Sequence, residues 1–528
     1  MIDNCLIVIP AIKKNAVIPD QLIKKLNGIT LIQRAINTAK DLTINENILV
    51  LTDSEEISLI ANRNNIKCKK DKNFSIDSSN IFDITASVLE ESKFDYVFIF
   101  RANTPLVDKG ILLQAYNNFL KDKSSTLVSV KKLDKSILKI KDDKLFHVES
   151  KDYYKELKAF YILSKQSLYK KEFFFKAFII DNEKSIEIEN YQTWWICEKI
   201  LQQKRIVFNV IGSTKIGMGH IYHSLALAHE ISDHEVIFVC DEKYEIAVDK
   251  IASMDYKVIS CKNVSKVIIN LNPDMLINDI LDTDIDFIKT FKKHNIKIVN
   301  FEDLGDGTKE ADLVINELYD EPPLSGDKFL WGYKYLALRD EFENARPHKF
   351  VNLVDSVLIT FGGTDQNNLT MIVLKSIIDI VKKLNIRIYI VCGSGYLFKD
   401  KLQKYLDSST YKNIELTFAS GIISQIMEKT QIAFSSNGRT VYELAHMNIP
   451  SIVISHHERE DSHKFASLEK GFINLGIYDA QTTSLKVEET LKKLINDSDY
   501  RKLLFLNIKK YDFKDNKKNI VKKIMELL

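Results

Sequence analysis

The feature that most constrains the fold is an alternation of short apolar runs with amphipathic stretches. In the first part of the chain, the predicted buried strands are residues 5–9, 48–52 and 96–100, and the predicted helices are residues 31–42 and 55–64. Continuous apolar runs are typical of buried strands, and apolar residues at helical spacing between them are typical of helices, so the pattern favours βαβα units. This order predicts a mostly parallel sheet covered by helices on both faces.

The same alternation starts afresh twice. A new strand begins at Arg205 and leads into a glycine-containing loop and a helix, and another begins at Asp355 and leads into Gly362-Gly363-Thr364. A length of 528 residues is also enough for several folding units. We therefore predict three α/β domains, at residues 1–203, 204–350 and 351–528.

Composition excludes some classes of protein. The 74 Lys and Arg residues nearly balance the 72 Asp and Glu residues, which leaves a net charge of +2 and no indication of a nucleic-acid partner. The six cysteines form no CxxC pair and have no zinc-ligand spacing to histidine. No signal peptide is indicated, and no apolar run approaches the roughly 20 residues of a transmembrane helix. We expect a cytoplasmic protein without a transmembrane segment.

The loop after the strand at Arg205 is the most informative segment. It reads Gly-Ser-Thr-Lys-Ile-Gly-Met-Gly-His from Gly212 to His220 and opens a helix. Glycines let a backbone approach phosphate closely at a helix start. The helix dipole tends to lower the pKa of a histidine placed there, so that a neutral His220 could act as a base on water. From this loop alone, a capping or packing role for His220 remains the simpler alternative.

Five motifs in order carry a resemblance over residues 205–480. They are the glycine loop, Ile277-Asn278-Asp279, Phe301-Glu302-Asp303, Gly332-Tyr333 with Leu338-Arg339, and Phe361–Asp365. The set resembles the nucleotide-sugar hydrolases of pseudaminic acid biosynthesis and the related spore-coat polysaccharide proteins. The resemblance implies a two-lobed GT-B pair of Rossmann-like domains, as in MurG, with the active site between the lobes. It implies a UDP-linked acetamido sugar as substrate and no cofactor for this half.

The resemblance also implies roles for individual residues. His220 would activate water and Asp279 would help to orient it. The residues expected to bind nucleotide or phosphate are Gly217, Gly219, Gly362, Gly363, Thr364, Asn437, Gly438, Arg439, Thr440 and Glu443, with Glu443 on the ribose hydroxyls. The residues expected to contact substrate are Lys215, Arg339, Arg459 and His463. One departure is Ile280, where the hydrolases have a histidine after the aspartate.

The first domain resembles the cytidylyltransferases that activate sialic-acid-like and Kdo sugars. The resemblance is carried by the segments starting at Ile9, Leu51, Phe100 and Ser185. It implies a GT-A-like Rossmannoid fold of the nucleotide-diphospho-sugar transferases and CTP as substrate. Lys13 and Lys14 would line the triphosphate loop, Glu187 and Glu189 would hold Mg²⁺, and a homodimer is possible in this family.

This domain departs from the family pattern at charged positions. Ile12 replaces a loop arginine, Gln21 replaces a lysine, and Glu187 and Glu189 replace two aspartates. Nucleotidyl transfer needs groups that neutralise the triphosphate, so these changes also fit a fold retained without the chemistry.

Three hypotheses follow. The first is an enzyme of nonulosonic acid or surface polysaccharide biosynthesis, whose second half hydrolyses a UDP-sugar and whose first half makes a CMP-sugar. The second is a GT-B glycosyltransferase, which uses the same cleft and base with a sugar hydroxyl as acceptor. The third treats the first domain as a non-catalytic nucleotide-binding or scaffold module.

Overall fold

The computed structural model describes residues 2, 4–13, 18–74, 80–89, 93–123, 126–133, 137–141, 143–148, 153–213, 216–320, 324–418 and 422–528. The chain forms two compact units, Met1–Gln203 and Lys204–Leu528. In the described part of the chain, no helix is both long and apolar enough to cross a membrane.

The first unit is an α/β domain. Its strands are β1 (Cys5–Pro10), β2 (Lys25–Leu26), β3 (Ile29–Thr30), β4 (Ile48–Thr52), β5 (Lys67–Lys70), β6 (Tyr96–Phe100), β7 (Thr126–Lys132), β8 (Ile137–Lys141), β9 (Lys144–Val148), β10 (Tyr154–Ser164) and β11 (Phe175–Ile179). Its helices are α1 (Leu31–Lys40), α2 (Glu55–Arg63), α3 (Asn80–Leu89), α4 (Lys109–Phe119), α5 (Lys165–Lys170) and α6 (Tyr191–Gln202).

A seven-stranded sheet in the order β11-β7-β10-β6-β1-β4-β5 forms the centre of this unit. Strands β1, β4, β5 and β6 are parallel, and β10 runs antiparallel to both of its neighbours. All six residues of β1 are buried, as expected for a central strand covered on both faces. Helix α1 begins where the Thr30 hydroxyl accepts a hydrogen bond from the Gln33 backbone N–H.

The second unit contains two parallel sheets. The strands of its first lobe are β12 (Arg205–Val210), β13 (Glu235–Asp241), β14 (Lys257–Cys261), β15 (Met275–Asp279), β16 (Lys297–Phe301), β17 (Leu313–Asn316) and β18 (Phe329–Trp331). The helices between them are α7 (Gly219–Glu230), α8 (Glu245–Ala252), α9 (Val264–Leu271) and α10 (Ile285–Lys292). The sheet order is β14-β13-β12-β15-β16-β17-β18.

The second lobe repeats this architecture. Its strands are β19 (Ser356–Thr360), β20 (Arg387–Cys392), β21 (Ile414–Phe418), β22 (Ile432–Ser435), β23 (Ser451–Ser455) and β24 (Phe472–Ile477), in the order β21-β20-β19-β22-β23-β24. The remaining helices are α11 (Leu369–Leu384), α12 (Lys399–Ser408), α13 (Ser424–Met427), α14 (Thr440–His446), α15 (Glu458–Asp461), α16 (Thr483–Asn496), α17 (Ser498–Ile508) and α18 (Asn516–Met525).

The predicted α/β class is confirmed, and the second unit has the two Rossmann-like lobes of a GT-B pair. One element differs from the sequence-based division at residue 351. Ile520 and Ile524 of α18 are buried in the core of the first lobe, together with strand β12. The Lys517 ammonium reinforces this packing through ion pairs with Glu230 at 3.2 Å and Glu343 at 2.7 Å. The end of the chain therefore packs on the first lobe, although its sequence continues the second.

Candidate functional site

In the two sheets of the second unit, most of the predicted site residues follow the two central strands at which the strand order reverses. The chain runs outward from β12 to β14 and then returns to the other side of β12 as β15, and β19 and β22 repeat this arrangement. Such a reversal opens a crevice at the carboxyl ends of the two strands. Asp279 is the last residue of β15, and Gly438 and Arg439 follow β22.

The glycine loop after β12 is closed by its own backbone. The Ser213 N–H donates to the Gly217 carbonyl at 3.2 Å, and the Gly217 N–H donates to the Ser213 carbonyl at 2.8 Å. Gly217 has a φ of +94°, which a residue with a side chain rarely adopts. The loop also lies against the second lobe. A Cβ added to Gly363, which follows β19 of that lobe, would lie 3.2 Å from the backbone nitrogen of Met218 in the loop. Lys215 lies outside the described residues.

The structure brings His220 and Asp279 into direct contact, and Asp279 faces the histidine ring and not the cavity, whereas the sequence predicted that it would orient the water. Nδ1 of His220 lies 2.6 Å from Oδ1 of Asp279, whose side chain has no exposed surface. Because a carboxylate only accepts hydrogen bonds, Nδ1 of His220 carries the hydrogen. In the neutral ring, Nε2 is then an unprotonated acceptor. This tautomer is the one that a general base requires.

Asp279 also holds a second histidine, which the sequence reasoning missed. Its Oδ2 lies 2.7 Å from Nδ1 of His223 and accepts a hydrogen bond from the Ser224 hydroxyl at 3.1 Å. Nε2 of His223 lies 3.2 Å from Oε2 of Glu317, and the side chains of His223, Asp279 and Glu317 are all fully buried. The sequence could have indicated this second histidine, because His220 and His223 are three residues apart and therefore lie on the same face of a helix.

These contacts set the protonation states. Burial raises the pKa of Asp279, but His220 and His223 outweigh it and hold that pKa well below its usual range. Burial lowers the pKa of His223, but Glu317 and Asp279 outweigh it and raise the value to about 9. At neutral pH, His223 is therefore an imidazolium and Asp279 a carboxylate.

A row of buried asparagines supports this edge of the sheet. The Asn209 amide on β12 donates to Asn278 on β15, and the Asn278 amide donates to Asn300 on β16, both at 2.9 Å. The Asn300 amide continues the row to Oδ2 of Asp303 at 2.6 Å. Asp303 in turn accepts from Thr283 and is bonded to Asn316 through its backbone. Neighbouring strands are thus joined side chain to side chain next to Asp279, which restricts its position.

Arg439 reaches this cluster from the second lobe. Its Nε donates to Oε1 of Glu317 at 2.9 Å, and its NH2 lies 2.6 Å from Oε1 of Glu302 and 4.0 Å from Asp279. Burial lowers the pKa of Arg439, but Glu302 and Glu317 outweigh it and raise that pKa. Glu302 adopts a left-handed backbone conformation with a φ of 50° at the end of β16. In this arrangement, Arg439 binds carboxylates of the first lobe, whereas the sequence predicted a phosphate contact.

Glu443 and Arg339 form a second pair between the lobes. Nε of Arg339 donates to Oε1 of Glu443 at 2.7 Å, and its NH1 lies 2.8 Å from Oε1 of Glu341. The Arg339 guanidinium also lies over the Tyr222 ring, with its carbon 5.6 Å from the ring centre. Burial raises the pKa of Glu443, and Arg339 opposes this shift.

The histidine-rich loop after β23 presents an acceptor rather than a cation. Nδ1 of His463 lies 2.7 Å from the Asn437 carbonyl, which can only accept, so Nδ1 donates. Burial lowers the pKa of His463, and its Nε2 is a buried atom without a hydrogen-bond partner. The neutral ring therefore offers Nε2 to a hydroxyl or amide donor. Arg459 is paired with both oxygens of Asp282, at 2.8 and 3.1 Å.

A cavity of about 450 Å³ lies between the lobes of the second unit. The predicted residues that line it are Gly217, Gly219, His220, Arg339, Gly362, Gly363, Gly438, Arg439, Thr440, Glu443, Arg459 and His463. Three others lie behind its wall: Asp279 supports His220, Thr364 is buried, and the Asn437 amide holds the Glu460 and His463 carbonyls at 2.9 Å. Lining residues that the sequence reasoning missed include Tyr222, Glu302 and Glu460, and burial raises the pKa of Glu460 to about 7.

In the first unit, the crevice at the ends of β1 and β6 holds charged residues that are already paired. Nζ of Lys13 lies 3.2 Å from Asp20 and 3.1 Å from Glu56, and Lys14 lies outside the described residues. The Gln21 amide donates to the Ile188 carbonyl at 2.9 Å, between the two predicted metal ligands. The residue that replaces the family's lysine therefore anchors the segment with both glutamates.

The two glutamates each contact basic or amide side chains in this structure. Oε1 of Glu187 accepts from Asn103 at 2.6 Å and from Arg101 at 3.3 Å. Glu189 is about half exposed and lies 3.7 Å from the Lys155 ammonium. Among the described residues, no group of three or more His, Cys, Asp or Glu side chains is arranged to hold a metal ion. The Mg²⁺ site stays a prediction from the sequence, and these side chains are arranged for ion pairing.

Comparisons with known proteins agree with this two-part organisation. Residues 7–228 match the cytidylyltransferase family, and residues 356–526 match the C-terminal domain of glycosyltransferase family 28. The first match runs past Gln203, the last residue of the first unit, into α7.

Three proteins illustrate these similarities. An uncharacterized protein of Methanocaldococcus jannaschii is 29% identical over 275 residues, which cover 47% of this chain and 54% of the relative. The match thus spans about half the length of that relative. The pseudaminic acid cytidylyltransferase of Campylobacter jejuni is 26% identical over 212 residues, which cover 35% of this chain and 91% of that enzyme. The MurG structure from Acinetobacter baumannii aligns with 61% of this chain and 99% of MurG, at 12% identity and a TM-score of 0.43.

The family matches agree with the motifs found in the sequence and with the sheets found in the structure. Residues 7–228 are therefore similar to the cytidylyltransferases, and residues 356–526 are similar to the C-terminal domain of glycosyltransferase family 28.

Proposed function

We propose that the second unit hydrolyses the bond between UDP and an acetamido sugar, with His220 as the general base. The observation that carries this proposal is His220 on the cavity wall, 2.6 Å from the fully buried Asp279. Water attacks the anomeric carbon as Nε2 of His220 takes its proton. The bond from that carbon to the diphosphate oxygen breaks, and UDP leaves with the electron pair.

The cavity contains groups suited to the rest of such a substrate. The amino end of α7 and the glycines of both loops offer backbone N–H groups to a diphosphate. Glu443 accepts hydrogen bonds from the ribose hydroxyls, and Arg339 holds its carboxylate in place. His463, whose Nε2 is an acceptor, binds a hydroxyl or acetamido N–H of the sugar and not a phosphate oxygen.

The second candidate is a glycosyltransferase that uses a sugar hydroxyl in place of water. The match of residues 356–526 to glycosyltransferase family 28 favours it. A hydroxyl needs the same base as water, so both reactions predict the same role for His220.

The first unit is proposed to transfer CMP from CTP to a nonulosonate sugar acid. The match of residues 7–228 to the cytidylyltransferases supports this activity. Pyrophosphate release from CTP in the presence of such a sugar acid tests it. If the protein binds CTP without releasing pyrophosphate, the unit is a nucleotide-binding module.

UDP release from a panel of UDP-linked acetamido sugars tests the second unit, with His220→Ala beside the wild type. The control is His229→Gln, on the same helix but paired with Asp340. Hydrolysis is supported if UDP is released without an added acceptor and this release is lost in His220→Ala but not in His229→Gln. Release that needs an added sugar or lipid acceptor supports the glycosyltransferase. Absence of release from every donor contradicts both activities.

A further inference from the structure

The second histidine of α7 contacts two carboxylates and no solvent. Nδ1 of His223 lies 2.7 Å from Asp279, Nε2 lies 3.2 Å from Glu317, and the side chain has no exposed surface. The Phe301 ring packs edge-on against it, with ring centres 4.6 Å apart. Nδ1 of His223 is hydrogen bonded to Asp279, whereas Nε2 makes an ion-pair contact with Glu317 that lacks hydrogen-bond geometry. Two carboxylates that flank one buried ring favour its imidazolium form.

We propose that His223 is a positioning residue, which as an imidazolium between Asp279 and Glu317 holds the Asp279 carboxylate toward Nδ1 of His220. This inference rests on the proposed role of His220 as the base. His223 borders the cavity, but its side chain lies one helix turn further along and has no exposed surface, so it acts through Asp279. It acts by fixing which oxygen of Asp279 faces His220, and thereby which nitrogen of His220 faces the cavity.

The charged groups around the ring support this arrangement. Asp279 and His220 face it from β15 and its own helix, Glu317 follows β17, and Arg439 approaches from the second lobe. Burial alone lowers the pKa of His223, but the two carboxylates raise it to about 9. The cluster of Asp279, Glu302 and Glu317 thus holds three carboxylates against two cations, Arg439 and His223. One negative charge is left over, and it stabilises the imidazolium that His220 becomes when it takes a proton.

The position of Arg439 explains why His223 is needed. NH2 of Arg439 lies 4.0 Å from Oδ1 of Asp279, the same oxygen that contacts His220. With His223 removed, Oδ2 of Asp279 keeps only the Ser224 hydroxyl as a donor. The carboxylate is then free to turn toward Arg439, and His220 loses the group that fixes its tautomer.

Paired substitutions separate positioning from packing. His223→Asn keeps an N–H donor near the Nδ1 position, whereas His223→Phe keeps the ring volume and removes both donors. We expect His223→Phe to lower kcat for UDP release roughly 10²-fold with little change in KM. We expect His223→Asn to recover part of that loss. His229→Gln is the matched control, since His229 lies on the same helix and is also paired with an aspartate. If a folded His223→Phe protein keeps kcat within about twofold, the proposal is wrong.

A second measurement needs no substrate. Nitrogen NMR of the full protein with ¹⁵N-labelled histidine reports the protonation of each ring, and the two variants assign the signals. We expect His223 to carry protons on both nitrogens at pH 7, and His220 to change its tautomer balance in His223→Phe. A neutral His223 at pH 7, or an unchanged His220 signal in His223→Phe, overturns the inference. If the wild type releases no UDP while both signals behave as expected, only the proposed function fails.

Discussion

The two units place similar charged residues in different surroundings. In the second unit, Asp279 and Glu317 have no exposed surface, and each contacts a buried histidine. In the first unit, Glu187 is partly exposed and Glu189 about half exposed, and each contacts an arginine or lysine. Desolvation strengthens interactions between charges, so the buried cluster of the second unit shifts the pKa values of Asp279 and His223 strongly. Burial, more than residue type, separates a poised acid–base cluster from an ordinary ion pair.

The largest expected effect comes from Asp279→Asn. The amide cannot hold the Nδ1–H tautomer of His220, so we expect UDP release to fall about 10²- to 10⁴-fold. Asp274→Asn is the control, because Asp274 lies next to the opposite end of β15 and is about 40% exposed. Equal activity in the two variants would contradict the role of Asp279.

Arg439→Met and Arg101→Met compare the two units directly. Removing Arg439 leaves Glu302 without its ion-pair partner beside buried Glu317, and we expect a loss of about 3 kcal/mol in unfolding free energy. Removing Arg101 costs about 1 kcal/mol, because Glu187 keeps its hydrogen bond from Asn103. Hydrogen exchange of peptides from each unit measures the losses separately. Similar losses of unfolding free energy in the two variants would show that the burial of the arginine's carboxylate partners does not determine the cost of removing the arginine.

Much of this site could have been predicted from strand ends. The sequence located His220 and Asp279, because a glycine loop after a strand and an aspartate ending another strand are local signals. Glu302 and Glu317 also follow neighbouring parallel strands, so the same rule could have found them. The sequence could not show that Arg439 binds carboxylates, since that pairing depends on the approach of two lobes distant in sequence. Nor could it show that α18 returns to the first lobe, because its apolar spacing fits either core.

His223 gives the second unit a dependence of stability on pH. Its pKa is raised from about 6.5 to about 9, so its contribution is fully present below pH 6.5 and is lost as pH rises through 9. That shift corresponds to about 3 kcal/mol of unfolding free energy. The slope of unfolding free energy between pH 6.5 and 9 is expected to be steeper for the wild type than for His223→Gln. Parallel slopes would contradict an imidazolium at this position.

The smallest effects are expected for the glutamates of the first unit. Glu189→Gln should change the unfolding free energy by less than about 0.5 kcal/mol, since Lys155 lies 3.7 Å away and both side chains are about half exposed. Glu187→Gln should cost about 1 kcal/mol, because Arg101 and Asn103 both lose a charged acceptor. Urea titrations followed by hydrogen exchange in residues 153–203 measure both. A larger loss for Glu189→Gln would mean that this carboxylate has a partner stronger than Lys155, as the metal prediction requires.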